Sequence, residues 1–347
     1  MRKIFTLFMA VSLLVATLLS SGCVRFHISD NTDADKSTAE KKIIIRIANE
    51  VAPIHPTNIA LIEIFKKEVE ANSDGEIEVE LYANSQKGPV HQNLEDVKSG
   101  ELEMCVASDV AVGSIVPEWN VVGLPFLFTS MESAQKSLDG EFGNRLDELL
   151  EKEGYINLGW GYSGFREFSN DVRPIRTPAD MKDLRFRTME NYYQTGYFTA
   201  LGSIPLPMTF SELFMALAQD RVDGQENSLA MIWNNSLYEL QDYLTISDHA
   251  WTSVVTIIGK DFFESLSEKN QKVIKDAMAE TVEFQREEIL KQNSELLSEF
   301  TDIDVDVTIL TEEEKEPFRQ IAKDSVWKMA TAEFGQELLD LATKYNE

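Results

Sequence analysis

The chain reads as an α/β protein of two lobes, on three observations. Short apolar runs of strand length alternate with helical stretches over most of it, the pattern of parallel α/β units. Residues 268–300 carry one uninterrupted helical pattern, which at 1.5 Å per residue extends ~50 Å and so runs along both lobes. The length, 347 residues, is long for one compact domain and comfortable for two.

The elements follow in order. Residues 43–48 (Ile-Ile-Ile-Arg-Ile-Ala) form an apolar run typical of a central strand. A helix follows with Ile62, Phe65 and Val69 on one face. Residues 76–82 alternate apolar and polar as a strand. A short helix over 90–99 leads to a strand over 102–107. Two helices span 130–153, and 155–161 is a strand. Short strands at 184–189, 204–208 and 222–225 are separated by helices near 191–201 and 211–220, the latter with Ser211 as N-cap. Residues 254–258 form a buried strand that returns to the first lobe. The long helix then presents Ile274, Met278, Val282, Ile289, Leu296 and Phe300 near one face. A strand at 305–310 and two helices finish the chain.

The first 23 residues differ from the rest. Arg2 and Lys3 precede an almost wholly apolar run from Ile4 to Leu19, closed by Ser20-Ser21-Gly22-Cys23. That is the pattern of a secretory signal peptide over 1–22, too short for a lasting membrane span. The run ending in Gly22-Cys23 resembles a lipobox, which implies acylation of Cys23; two acyl chains make a firm membrane anchor. Residues 24–42 are polar and aperiodic and read as a flexible tether. With Cys23 acylated, Cys105 is the one other cysteine, so neither disulfides nor cysteine-built zinc sites are expected. Cys105 lies in an apolar run and reads as a buried, inert thiol.

The formal net charge is −27. Such a surface repels nucleic acid, so no nucleic-acid partner is expected. Any captured anion must be met by locally concentrated cations, against the overall field.

Familiar motifs fail on inspection. Gly159-Trp-Gly-Tyr-Ser-Gly164 matches a dinucleotide fingerprint in letters, but the sequence continues as an extended segment rather than opening a helix. It reads instead as a Gly-rich crossing between lobes. The four histidines (His27, His55, His91, His249) are scattered without ligand spacing, so no metal is expected. No nucleophile elbow or P-loop is present, and among 59 acidic residues no carboxylate pair stands out. The expectation is a protein without cofactor and without catalysis.

Residues 160–251 are more specific. Pro174-Ile-Arg-Thr-Pro-Ala-Asp-Met-Lys-Asp-Leu184, Arg185-Phe-Arg187, Leu201-Gly202, Pro205-Leu-Pro-Met-Thr-Phe-Ser-Glu-Leu-Phe214 and Val222-Asp-Gly-Gln-Glu-Asn227 together resemble the DctP-type substrate-binding proteins of TRAP (tripartite ATP-independent periplasmic) transporters. Pro53-Ile-His-Pro56, Gly100-Glu-Leu-Glu103 and Leu124-Pro-Phe-Leu-Phe128 agree with it. The resemblance covers roughly residues 43–330. It implies a periplasmic-binding-protein-like fold with mixed sheets, crossing hinge strands and a long helix spanning both lobes. On that basis lobe 1 is 43–163 with 253–290 returning, and lobe 2 is 164–252 with the C-terminal helices of 291–347. It further implies capture of an organic acid by lobe closure and delivery to a small and a large membrane subunit, by a protein expected to act as a monomer. The alternative class is a lipoprotein that lends its bound ligand to a sensor.

The resemblance also implies a site. Arg187 matches the arginine that holds the ligand carboxylate; its forked, permanently charged guanidinium can pair both oxygens. Arg185 lies two residues away on the same strand and so shares its face. Arg166 matches a second arginine, read either as a ligand contact or as an interlobe salt bridge. Asn227 matches a cleft asparagine, and Phe210 an aromatic packed on the ligand. Glu50, after the first strand, would accept hydrogen bonds from hydroxyls and points to a sugar acid such as a uronate or aldonate. His55, Gln92, Ser108 and Asp109 are further pocket candidates. Ser108 and Glu190 depart from the sialic-acid-binding branch, which has Glu and Asn there. Trp251 and Trp119 are either stacking platforms or core. A C4-dicarboxylate is the alternative ligand.

Overall fold

The computed structural model describes residues 42–346; the signal-peptide, Cys23 and tether readings lie outside the described residues, Lys42 excepted. Nine strands form one mixed sheet: β1 (Ile43–Ala48), β2 (Ile77–Tyr82), β3 (Met104–Ser108), β4 (Tyr155–Asn170), β5 (Arg185–Thr188), β6 (Ile204–Pro207), β7 (Gly224–Asn227), β8 (Tyr243–Gly259) and β9 (Asp306–Ile309). Their order is β2-β1-β3-β8-β4-β7-β5-β6, with β9 added alongside β8.

β4 and β8 are the crossing strands. They pair antiparallel along almost their whole length, from Tyr155↔Gly259 to Asn170↔Tyr243. One end of the pair joins β3 and the parallel β1 and β2. The other joins β7, which carries the parallel β5 and β6, and β9. The two lobes are therefore halves of one sheet, linked by continuous backbone. The ladder shifts register between Tyr162 and Gly164, where Gly164 takes φ +110°, a conformation that glycine adopts without a Cβ penalty.

Beneath the crossing lies the helix Glu268–Asp302, started by Ser267, whose Oγ accepts the Asn270 N–H at 3.2 Å. Its 35 residues extend about 52 Å. Ile274, Ala277 and Met278 pack into the first lobe with Ile45, Ile47, Phe65 and Val69. Ile289, Leu296 and Phe300 join the larger core, which takes in residues of both lobes. At the crossing, the Gln285 amide accepts the Tyr162 N–H at 2.9 Å and donates to the Tyr162 carbonyl at 2.6 Å, so a helix side chain acts as a strand partner where the ladder breaks. The Gly-rich stretch makes this approach possible. A Cβ on Gly159 would stand 2.6 Å from Val282 Cγ2, and one on Gly161 would stand 2.8 Å from Gln285 Oε1. These glycines serve helix–strand packing, and β4 runs through them with no helix beginning there.

Three local expectations need correction. The first helix buries Leu61, Phe65 and Val69 and exposes Ile62, because Leu61–Lys66 is a π-helical turn that shifts the face by one residue. The helix Phe210–Ala218 is capped by Thr209, not Ser211: the Thr209 N–H donates to Glu212 Oε2 at 3.1 Å in a capping box. The last helix, Gln336–Thr343, assigned to the second lobe on sequence, packs its Leu338, Leu339 and Ala342 face against Met131–Leu138 of the first, where Ser137 Oγ donates to the Ala342 carbonyl at 2.8 Å.

Candidate functional site

β1, β3, β5, β6 and β7 bring their C-terminal ends to one crevice, the place where α/β sheets hold ligands. Past β1 come Asn49 and Glu50, and β3 ends at Ser108. Arg187 lies near the end of β5, Met208, Thr209 and Phe210 follow β6, and Asn227 ends β7. The crossing strands add Ser163, Arg166, Thr252 and Val254 as the floor. Together these line a cavity of about 100 Å³. A single water needs on the order of 10–15 Å³ on that measure, so the room suits a small organic molecule.

Arg187 is 2% exposed. Its Nε and Nη2 both donate to the Met208 carbonyl, at 3.1 and 2.9 Å. Among the described residues no carboxylate pairs with it directly. Burial pushes its guanidinium down to about 10, with Glu226 and Glu50 acting the other way from a distance, so it stays cationic at neutral pH. Arg185, one turn of the pleat away, sits at the outer end of the strand and pairs with Asp223. The two share a face, as expected, but only Arg187 reaches the cavity.

Arg166 is 1% exposed and fully engaged. It pairs with both oxygens of Glu226, donates to the Glu226 carbonyl at 2.6 Å and to Asn227 Oδ1 at 3.1 Å, and reaches Thr252 Oγ1 at 3.1 Å. Its salt bridge joins neighbouring strands β4 and β7 and does not cross between lobes. Burial acts to raise Glu226, but the Arg166 charge and the His249 ring outweigh it and hold the carboxyl at about 2. Arg166 therefore buttresses Asn227, which also donates to Gln225 Oε1 at 2.6 Å.

Of the other sequence candidates, Glu50, Ser108, Phe210 and Glu190 line the cavity. Glu50 Oε1 is buried and hydrogen-bonded to no protein group. Ser108 Oγ caps the turn Asp109–Val112 through the Ala111 N–H at 3.2 Å. Asp109 lies just behind: its Oδ1 accepts the Ser253 N–H at 3.2 Å, its Oδ2 has no partner, and burial pushes it up to about 7.

His55, Gln92, Trp251 and Trp119 also stand outside the lining. His55 is fully buried as the N-cap of Pro56–Ala60, its Nδ1 accepting the Thr57 N–H at 3.2 Å; burial pushes it down to about 4. Gln92 faces solvent and donates to Asp96 at 2.8 Å. Trp251 is core, edge-on to Tyr162 and Phe165, with Nε1 on Ser253 Oγ at 2.8 Å. Trp119 is core as well, stacked on Trp160.

Sequence reasoning missed His91, which turns into the cavity where Gln92 turns out. One residue rotates a helix by about 100°, and the start of Val90–Ser99 after Pro89 sets the phase. His91 Nε2 donates to Glu190 Oε2 at 3.2 Å across the cavity mouth. Beside it Asn191 Nδ2 donates to Asn120 Oδ1 at 2.6 Å. These pairs tie the lobes together over the cavity.

The family model described as bacterial extracellular solute-binding protein, family 7 (DctP), matches residues 47–333. Among solved structures, the sugar acid binding protein DctPAm of Advenella mimigardefordensis, in complex with galactonate, is 34% identical. It matches with a TM-score of 0.84 over 88% of this chain and 99% of its own. A TRAP periplasmic solute binding protein of Shewanella oneidensis, with bound succinate, is 26% identical, with a TM-score of 0.85 over 88% of this chain and 100% of its own. The C4-dicarboxylate-binding protein DctB of Bacillus subtilis is 27% identical over 342 residues, 96% of this chain and 97% of that protein. With its two half-sheets, crossing strands and long spanning helix, the chain belongs to the bacterial extracellular solute-binding proteins of family 7, the DctP family.

Proposed function

We propose that this protein captures a small organic acid, with a sugar acid as its ligand, by closing the two lobes over it, and passes it to the small and large membrane subunits of a TRAP transporter without chemical change. One observation carries the reading: Arg187 is a buried cation that opens on a cavity and has no paired carboxylate among the described residues. A buried charge without a counter-ion is costly, and a ligand carboxylate supplies one with bidentate geometry. Asn227, held by Arg166, offers a donor or acceptor beside it, and Phe210 a face for the carbon chain. The galactonate bound by the Advenella protein supports the sugar-acid reading. The succinate of the Shewanella protein and the name of the Bacillus protein favour a C4-dicarboxylate as second reading.

Lobe closure follows from the same geometry. The moving bodies would be residues 43–163 with 253–290 and the last helix, Gln336–Thr343, and 164–252 with 291–335; contacts from both bodies to one ligand favour the closed form. Among the described residues no helix is long and apolar enough to cross a membrane. Membrane attachment is proposed to come from acylated Cys23 after removal of 1–22. Intact-mass measurement of the membrane-extracted protein tests it: an acylated N-terminal Cys23 supports the anchor, and an unmodified or uncleaved N-terminus refutes it. The ligand reading is tested by thermal shift against aldonates, uronates and dicarboxylates. Saturating ligand at about a thousandfold over Kd adds ~4 kcal/mol. Arg187→Ala should abolish the shift; a full shift in that variant removes Arg187 from the site.

A further inference from the structure

The cavity lining carries two acidic groups besides Arg187. Glu50 follows β1 in one lobe, and its Oε1 is buried, lines the cavity and meets no hydrogen-bond donor of the protein. Glu190 follows β5 in the other lobe and lines the same cavity. Arg187 and His91 act to lower Glu50 and the Glu190 charge to raise it, yet neither Arg187 nor His91 forms an ion pair with it among the described residues. His91 is already engaged by Glu190, and Arg166 by Glu226. Among the described residues of the lining, Arg187 is the cation left to receive an anion.

Resting on the organic-acid reading, we infer that the site selects a monocarboxylate whose remaining carbons bear hydroxyl groups, one of them donating to Glu50, and that Glu50 and Glu190 together exclude a second carboxylate. An ionised carboxylate only accepts hydrogen bonds, so the buried Glu50 oxygen requires a donor. A hydroxyl supplies one. A second ligand carboxylate supplies none and adds like charge beside two acids, the repulsive element on which discrimination commonly rests. Burial pushes Glu50 up while the Val90 N–H and Arg187 act to lower it, and a hydroxyl donor would add to that stabilisation of the charged form.

The test uses pairs of acids with the same hydroxyl pattern and one or two carboxylates: D-galactonate against galactarate, and D-gluconate against glucarate, with succinate alongside. Binding to the purified protein is measured by titration calorimetry. In whichever pair binds, the aldonate is expected to bind at least about tenfold more tightly than its aldarate, and succinate more weakly still. Glu50→Gln should weaken the aldonate by roughly 10–100-fold, the loss of one hydrogen bond to a charged group, and narrow the gap to the aldarate. An aldarate or succinate binding the wild type as tightly as the aldonate overturns the inference and leaves the organic-acid reading standing. So does an unchanged ratio in Glu50→Gln. Failure of every acid to bind overturns the organic-acid reading itself.

Discussion

Glu226→Gln is the substitution on which the description of the buried network can be tested most sharply. The Glu226 carboxylate is 0% exposed, accepts from Arg166 Nε and Nη2, and lies 3.5 Å from His249 Nε2. Glutamine keeps the shape but withdraws the charge, which leaves Arg166 buried without a counter-ion. Breaking a buried pair in this way costs about 3–5 kcal/mol. Proton linkage gives a similar figure. The carboxyl is held at about 2 against an ordinary value of 4.5, and at 1.36 kcal/mol per unit that is about 3 kcal/mol. Because the folded-state value is depressed, this contribution is fully present above pH 4.5 and is lost as pH falls through about 2. Urea unfolding at pH 7 should therefore show the variant about 3 kcal/mol less stable, with the difference shrinking as the pH approaches 2. Arg166→Met combined with Glu226→Leu should recover most of the loss, since a well-packed apolar pair is often as stable as the ion pair. A single variant within about 0.5 kcal/mol of wild type, the range of an ordinary surface change, would refute the reasoning. So would a difference that does not move with pH.

Two further predictions concern the hinge region. Asp109 is raised to about 7 by burial, opposed by Arg166. Its neutral form stabilises the fold fully below pH 3.8, and that contribution is lost as pH rises through 7. Asp109→Asn should accordingly raise the melting temperature at pH 8, by up to about 4 kcal/mol of stability, and change it little at pH 4; an effect equal at both pH values contradicts the assignment. Gly159→Ala places a Cβ 2.6 Å from Val282 on the long helix and should cost about 1–3 kcal/mol by overpacking, read as a lowered urea midpoint. A neutral outcome would mean that the helix and crossing strand are not in contact there.

Much of the frame was legible in the residues because it rests on periodicity. Ile45, Ile47 and Ala48 of β1 and the spaced Ile274, Met278, Ile289, Leu296 and Phe300 of the long helix are buried, with Ile43, Ile44 and Val282 half-buried. β8 was legible only at Val254–Ile258. Its first half is buried as well but carries Thr245, Ser247 and His249, polar residues satisfied by the Ile175 carbonyl, by Glu167 of β4 and by each other, so no alternation marks it. The motif around Arg187 marked it as a cleft residue, and it lines the cavity, whereas the state of Arg166 was out of reach because its partner lies 60 residues away. His55 was misplaced because a residue before Pro56 that looks like a pocket group is spent on capping its own helix. His91 and Gln92 were exchanged by one step of helical phase, which a sequence without its helix start does not set.

The central claim is that Arg187 receives a ligand carboxylate, and a crystal structure with a bound acid tests it most directly. D-Galactonate is the first choice. Both carboxylate oxygens are expected on the Arg187 guanidinium at about 2.7–2.9 Å, with Asn227 beside them and a hydroxyl on Glu50. A carboxylate bound elsewhere, with Arg187 still holding only the Met208 carbonyl, would contradict it.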